Sequence, residues 1–402
     1  MKVLVVNAGS SSLKYQIFDT TNMNVIAKGL CDRIGIDGSE IRLTTDSASI
    51  KKQVPIANHS EAMKLLVEIL TTGEGKVIDS MAEIGAIGHR IVHGGTHFSK
   101  SALLTDEVYE KLVQCGELAP LHTPAHLQGI AACKEVMPST PQVVVFDTAF
   151  HQTIPQHAYM YPIPYQMYKD YAIRRYGFHG TSHLYVSSIM CDILGKVEGT
   201  KIVTCHLGNG SSIAAVKDGK SVDTSMGFTP LAGVEMGTRC GDIDPAVVTF
   251  IMEKEGISAD KIVDFLNKKC GFLGVSELSS DLREIFAEIE NDGPKAEQCK
   301  LAVDLLSYQI KKYIGAYSAA MGGLDAVVFT AGIGENNPDI REIACTNMEY
   351  LGIKIDKAVN DKIDLSKGPV RISTVDSRTA VYVIPTNEEL IIARDTRDIV
   401  AG

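Results

Sequence analysis

Residues 2–19 read KVLVVNAGSSSLKYQIFD: a β-branched apolar run (Val3 to Val6), a turn of small residues, then a second apolar run. The pattern predicts a β-hairpin whose turn offers backbone N–H groups with no bulky side chain in the way. Residues 201–217, KIVTCHLGNGSSIAAVK, repeat it, with Ser-Ser again in the turn. A second echo joins VVVFDTA (143–149) to VVFTAGI (327–333). Together the pairs predict two related lobes, each opening on a hairpin whose turn faces a shared cleft. Strand-like segments at 83–95, 142–150, 325–334 and 380–389 alternate with helical periodicity at 60–70 and 301–321. Such alternation implies α/β layers with active loops at the strand ends. The boundary is expected near residue 150. Beyond it, residues 151–180 hold six of the 14 Tyr and read either as an interface loop or as a cover on their own core.

Composition narrows the class. At 402 residues and 45% hydrophobic, the chain exceeds what one core usually organises. A net charge of −10 argues against nucleic acid or an anionic membrane as the main partner. Nine cysteines without a C-x-x-C pair read as thiols of a reducing cytosol. Neither a signal h-region nor a run of 18 apolar residues is found, so a cytoplasmic globular protein is expected.

Three turns could cradle phosphate: NAGSSS (7–12), GNGSS (208–212) and GIGEN (332–336). Any one alone could be a hairpin turn, but three in one α/β chain favour phosphate. DGKS (218–221) is no Walker A, because Ala214 stands where the first Gly belongs, and GNGSSI lacks the third Gly of a dinucleotide fingerprint. All 11 His lie at or before His206. His122 and His126 have zinc spacing, yet Thr123–Pro124 reads as a helix start and no HExxH glutamate is present, so zinc is disfavoured. Arg90 in GHRIVHGG and Arg239 in GVEMGTRCGDIDP are wrapped in glycines that let a ligand reach the guanidinium. Asp147 and Glu388 follow strands, where a carboxylate can hold magnesium, position water or cap a helix. The whole is a parts list for phosphoryl transfer.

These residues resemble the acetokinase family over essentially the whole chain. NAGSSSLK (7–14), GHRIVHGG (88–95), VFDTAFH (145–151), RRYGFHGTSH (174–183), HLGNGSS (206–212), MGTRCGDIDP (236–245), AGIGEN (331–336) and TNEE (386–389) occur in the family's order. The resemblance implies an α/β fold of two duplicated ribonuclease H-like (actin-like ATPase) lobes with the active site in the cleft between them. The lobes would comprise 1–149 with 385–402, and 150–384. The implied reaction is ATP + acetate ⇌ ADP + acetyl phosphate by direct in-line transfer, with Mg²⁺ and with Mn²⁺ able to substitute. By similarity, Asn7 and Glu388 place the metal. Lys14, Ser10 and Ser12 face ATP with the segments His206, Leu207, Gly208, Asn209 and Gly210; Asp281, Leu282 and Arg283; and Gly332, Ile333, Gly334, Glu335 and Asn336. Arg90 and His122 meet the acid, whose methyl rests against Val92, Leu121, Phe178 and Pro230. Asp147, His179 and Arg239 are the implied catalytic groups. A homodimer is expected. The rival readings are a propionate or butyrate kinase of the same family and, from another class, a non-enzymatic actin-like ATPase switch. A sugar kinase would need polar groups where the four apolar pocket residues stand.

Overall fold

The computed structural model describes all 402 residues, and the chain divides into two compact units, Met1–Ala149 with Asn387–Gly402, and Phe150–Thr386. In the first unit the strands are β1 (Lys2–Ala8), β2 (Ser12–Asp19), β3 (Asn24–Asp32), β4 (Glu40–Thr45), β5 (Ser49–Gln53), β6 (Ile84–Ile91), β7 (Ala102–Leu103) and β8 (Gln142–Phe146). They form one sheet in the order β5-β4-β3-β2-β1-β6-β8-β7. β1 and β2 are the antiparallel hairpin read from the sequence, with Asn7 opposite Lys14. β6 and β8 then add in parallel.

The unbroken apolar run of β1 has a simple cause: both faces of the sheet are covered. Leu4 and Val6 point into a core with Met63, Leu66 and Leu70 of helix His59–Thr71 and Cys133 of helix Thr123–Val136. Val3 and Val5 point the other way, against Ile392 and Ala393 of helix Glu388–Ala401. Helix His59–Thr71 starts where Asn58 accepts from Glu61 N–H at 3.0 Å, while Glu61 reaches back to Ala57 N–H at 2.8 Å. Pro124 lies in the first turn of helix Thr123–Val136, whose N-cap is His122, one residue before the start read from the sequence.

The second unit repeats the plan with β9 (Lys201–Leu207), β10 (Ser211–Lys217), β11 (Lys220–Thr224), β12 (Ala326–Thr330), β13 (Val370–Arg371) and β14 (Ala380–Val383), ordered β11-β10-β9-β12-β14-β13. Helix Ala296–Met321 covers one face through Leu306, Ile310 and Ile314. Helix Gly180–Leu194 covers the other through Val186 and Met190. Topology corrects one reading. β12 runs parallel beside β9 as β6 runs beside β1, so β12 is the counterpart of β6, and β8 matches β14. The likeness of 143–149 to 327–333 therefore joined non-equivalent strands. All nine cysteines are free thiols, seven of them buried. No helix is long and apolar enough to cross a membrane.

Candidate active site

The first unit gathers its charged groups where strands end. Arg90 on β6 sits beside β8, and Asp147, one residue past β8, is tied to β6 by its N–H to Ile91 O at 2.9 Å. Asp147 grips Arg90 along one edge: Nε donates to Oδ1 at 3.0 Å and Nη2 to Oδ2 at 2.7 Å. That edge is thereby occupied, and an incoming carboxylate is left the Nη1 side. Burial opposes the charge of Arg90, but Asp147 and Glu388 more than offset it, and the guanidinium stays firmly protonated.

Glu388 opens helix Glu388–Ala401, whose cap is the Asn387 side chain accepting from Leu390 N–H at 3.1 Å. Its Oε1 is 4.0 Å from Arg90 Nη2 and is buried without a hydrogen-bond partner. Burial raises the Glu388 pKa, with Arg90 and Lys14 pulling the other way. Asn7 and the exposed Lys14, opposite each other on the hairpin, line a cavity of about 260 Å³ with Lys28, Arg42 and Glu389. In the turn, Gly9 N–H bonds Ser12 O at 2.8 Å and Ser10 is exposed. Val92 is half-buried and His122 partly exposed, whereas Leu121 is 59% exposed. The rings of His122 and His126 are 6.4 Å apart, and no group of three His, Cys, Asp or Glu is placed to hold a metal ion.

In the second unit the β9–β10 turn (208–210) is closed by Gly208 N–H to Gly210 O at 3.1 Å. The segment bearing Arg239 is pinned to it by Gly237 N–H to Asn209 O at 3.2 Å. A side chain at Gly237 would meet Asn209 Oδ1 at 2.0 Å, so the bare glycine leaves room for the Asn209 amide to lie against this segment. Arg239 donates from Nη1 to Pro230 O at 3.1 Å, and burial lowers its pKa. His179 has a left-handed backbone (φ 55) and its ring stacks on His206 at 4.2 Å. The two donors converge. A Cβ at Gly210 would lie 3.4 Å from Arg239 Nη1 and 3.6 Å from His179 Nε2. An anion at that bare glycine would meet a guanidinium and an imidazole together. Phe178 is buried and Pro230 half-buried.

The GIGEN turn is in fact the first turn of a short helix, Ala331–Asn336, directly after β12. Glu335 Oε1 accepts from Ala331 N–H at 2.8 Å and Thr386 N–H at 3.2 Å, and Gly332 faces open space. Asp281 caps helix Leu282–Glu290 and pairs with Arg283, itself 91% exposed, so these residues lie at the surface. Sequence reasoning missed Arg341. Fully buried, it donates to Gly334 O at 2.9 Å, Glu335 O at 3.1 Å and both oxygens of Asn360, and so fastens the short helix from beneath. Its signal was an arginine between Ile340 and Ala344 on an apolar helical stripe.

The Acetokinase family model matches residues 2–394. The chain is 54% identical over 401 residues to an acetate kinase of Thermoanaerobacterium thermosaccharolyticum, covering 100% of this chain and 99% of that one. Among solved structures, Porphyromonas gingivalis acetate kinase superposes with a TM-score of 0.94 at 47% identity, covering 99% of both chains. A propionate kinase from Francisella tularensis gives 0.91 at 39%, again covering 99% of both.

Proposed function

We propose, for a chain that belongs to the acetokinase family, that it is an acetate kinase, a phosphotransferase that moves the γ-phosphoryl group of ATP reversibly onto the carboxylate of acetate. Its fold is the two-lobed actin-like ATPase fold. The observation that carries the chemistry is the convergence of Arg239 Nη1 and His179 Nε2 on the bare face of Gly210. A phosphoryl group in flight spreads charge over three equatorial oxygens, and fixed donors in a partly buried site stabilise it without reorganising. Arg90 would hold the acid's carboxylate, and Val92 would supply apolar surface for its methyl. Asp147 orients Arg90. The nucleotide would lie with the 206–210 turn and the short helix at 332–336.

The first-unit cluster fits a magnesium ion. Arg90, Asp147 and Glu388 together carry one excess negative charge, and Glu388 Oε1 is buried with no partner. With few protein oxygens on offer, the set suits Mg²⁺, which keeps waters and phosphate oxygens as its other ligands. Glu388 and Asn7 would hold it, and when bound it neutralises phosphate charge. A homodimer in the cytoplasm is part of the same proposal.

Propionate kinase is the second reading, favoured by the structural match at 0.91. Trapping the acyl phosphate with hydroxylamine, using acetate, propionate and butyrate in turn, separates them. Highest kcat/KM with acetate is expected. No trapped acyl phosphate from any short acid would overturn the assignment.

A further inference from the structure

We infer that Thr204, His183 and Ser212 form a one-way hydrogen-bond chain that fixes the ring proton of His179 on Nε2, the nitrogen turned toward Gly210. The functional half of this inference rests on the role given to His179 above. The three are positioning residues, since all are fully buried and each acts only through the next group in the chain.

The chain is read from its buried end. Thr204 on β9 is fully buried, and its hydroxyl has a single partner, His183 Nδ1 at 2.7 Å. A hydroxyl hydrogen needs an acceptor, so that ring nitrogen must be bare. His183 is itself fully buried, and burial, reinforced by His151 and His206, holds its pKa well below the usual value. It is therefore neutral with one ring proton, which falls to Nε2 and is donated to Ser212 Oγ at 2.7 Å. Ser212, also fully buried, has one remaining neighbour for its own hydrogen: His179 Nδ1 at 2.9 Å. His179 Nδ1 then accepts, and the proton of the neutral ring sits on Nε2.

The opposite order fails at its first link. With the proton of His183 on Nδ1, the Thr204 hydrogen would be buried with nothing to receive it. Local charge agrees with the direction chosen. Nε2 of His179 shares the Gly210 position with the guanidinium of Arg239, a place that suits a neutral donor better than a second cation. Thr204, three hydrogen bonds from the ring, thus decides which nitrogen of His179 can donate to a phosphoryl oxygen.

The test uses the full chain labelled with ¹⁵N-histidine, in which ring-nitrogen resonances report which nitrogen is protonated. Wild type should show His179 bare at Nδ1 and protonated at Nε2. Thr204→Val, nearly isosteric but without the hydroxyl, removes the donor that holds His183 Nδ1 bare, so that His179 should populate both tautomers. It should also lower kcat in proportion to the Nδ1-protonated fraction, at least about twofold, with KM for acetate and ATP changed less than that. Thr204→Ser should restore both the tautomer and the rate. Wild-type His179 protonated on Nδ1 overturns the inference, as does a His179 tautomer population that Thr204→Val leaves unchanged. A moved proton with unchanged kcat upholds the chain and instead removes His179 from the transfer. If Thr204→Val does not fold, the wild-type spectrum alone decides.

Discussion

Gly210 is the position where the chemistry is most exposed to a single atom. Its neighbours would stand in ordinary contact with an added methyl, at 3.4–3.6 Å from Arg239 and His179, so Gly210→Ala should fold normally. The methyl would fill the place proposed for the phosphoryl group beside both donors. We expect kcat to fall at least about 100-fold with an unchanged melting temperature, a loss comparable to that of an oxyanion donor; equal loss of stability and rate would show a packing role instead. Arg239→Lys should also lose most of its turnover, because a point charge cannot replace a planar fork, while KM for ATP stays near wild type. If weaker ATP binding accounts for the whole loss, Arg239 serves the ground state. For Asp147→Asn the bidentate grip on Arg90 predicts a raised KM for acetate together with a raised Mg²⁺ requirement, measured by titrating each against the other. At this scale the sequence was readable wherever glycines surrounded an arginine. It could not show that Asp147 already occupies one edge of Arg90, because the two are 57 positions apart and meet only through the β6–β8 register. Arg341 escaped for a related reason: an arginine in a helix reads as solvated until its partners, Gly334 and Asn360, are brought beneath it by the fold.

Among the elements, the loop leading to Arg239 carries an anomaly. Glu235 is 3% exposed, neither carboxylate oxygen has a hydrogen-bond partner, and burial pushes its pKa up to about 8. Its folded pKa is raised above the ordinary 4.5, so this group favours folding fully below that value and loses the contribution as pH climbs toward 8. The slope is at most roughly 1.4 kcal/mol per pH unit. Glu235→Gln should therefore gain stability relative to wild type between pH 5 and 8, read from melting temperatures across that range; parallel curves would show that the carboxyl is not buried as a neutral acid. Hairpins and long helices were legible because their apolar periods and small-residue turns are local signals. Which strands correspond between the units was not. Seven-residue windows such as 143–149 and 327–333 look alike because any buried parallel strand is rich in Val, and only the pairing of β12 with β9 shows its true counterpart. The short helix at 331–336 was hidden by its two glycines, which read as turn until Glu335 and Arg341 are seen bracing it from both ends.

For the whole molecule, composition spoke correctly of more than one core: each unit buries its own apolar clusters on both faces of its sheet. Seven of the nine thiols lie inside those cores, and the two partly exposed ones, Cys240 and Cys270, are pushed up in pKa by burial, to about 11 for Cys240. A thiol reagent at pH 8 should accordingly label no more than two cysteines slowly in the native protein and all nine after denaturation; rapid labelling of more would mean the cores open. The placement of helix Glu388–Ala401 has a consequence for biosynthesis. Its Ile392 and Ala393 cover a face of the first unit formed by Val3, Val5, Phe18 and Val143, yet the ribosome makes all of Phe150–Thr386 in between. At about 5–20 residues per second, those intervening residues keep that face bare for roughly 12–50 s in every newborn chain. Glu388 arrives with the same helix. A chain abandoned by the ribosome before that point would retain the arginine and aspartate of the first unit but lack the carboxylate beside them. Such unfinished products would carry a bare apolar face and, on the role proposed for Glu388, would lack a metal-holding carboxylate.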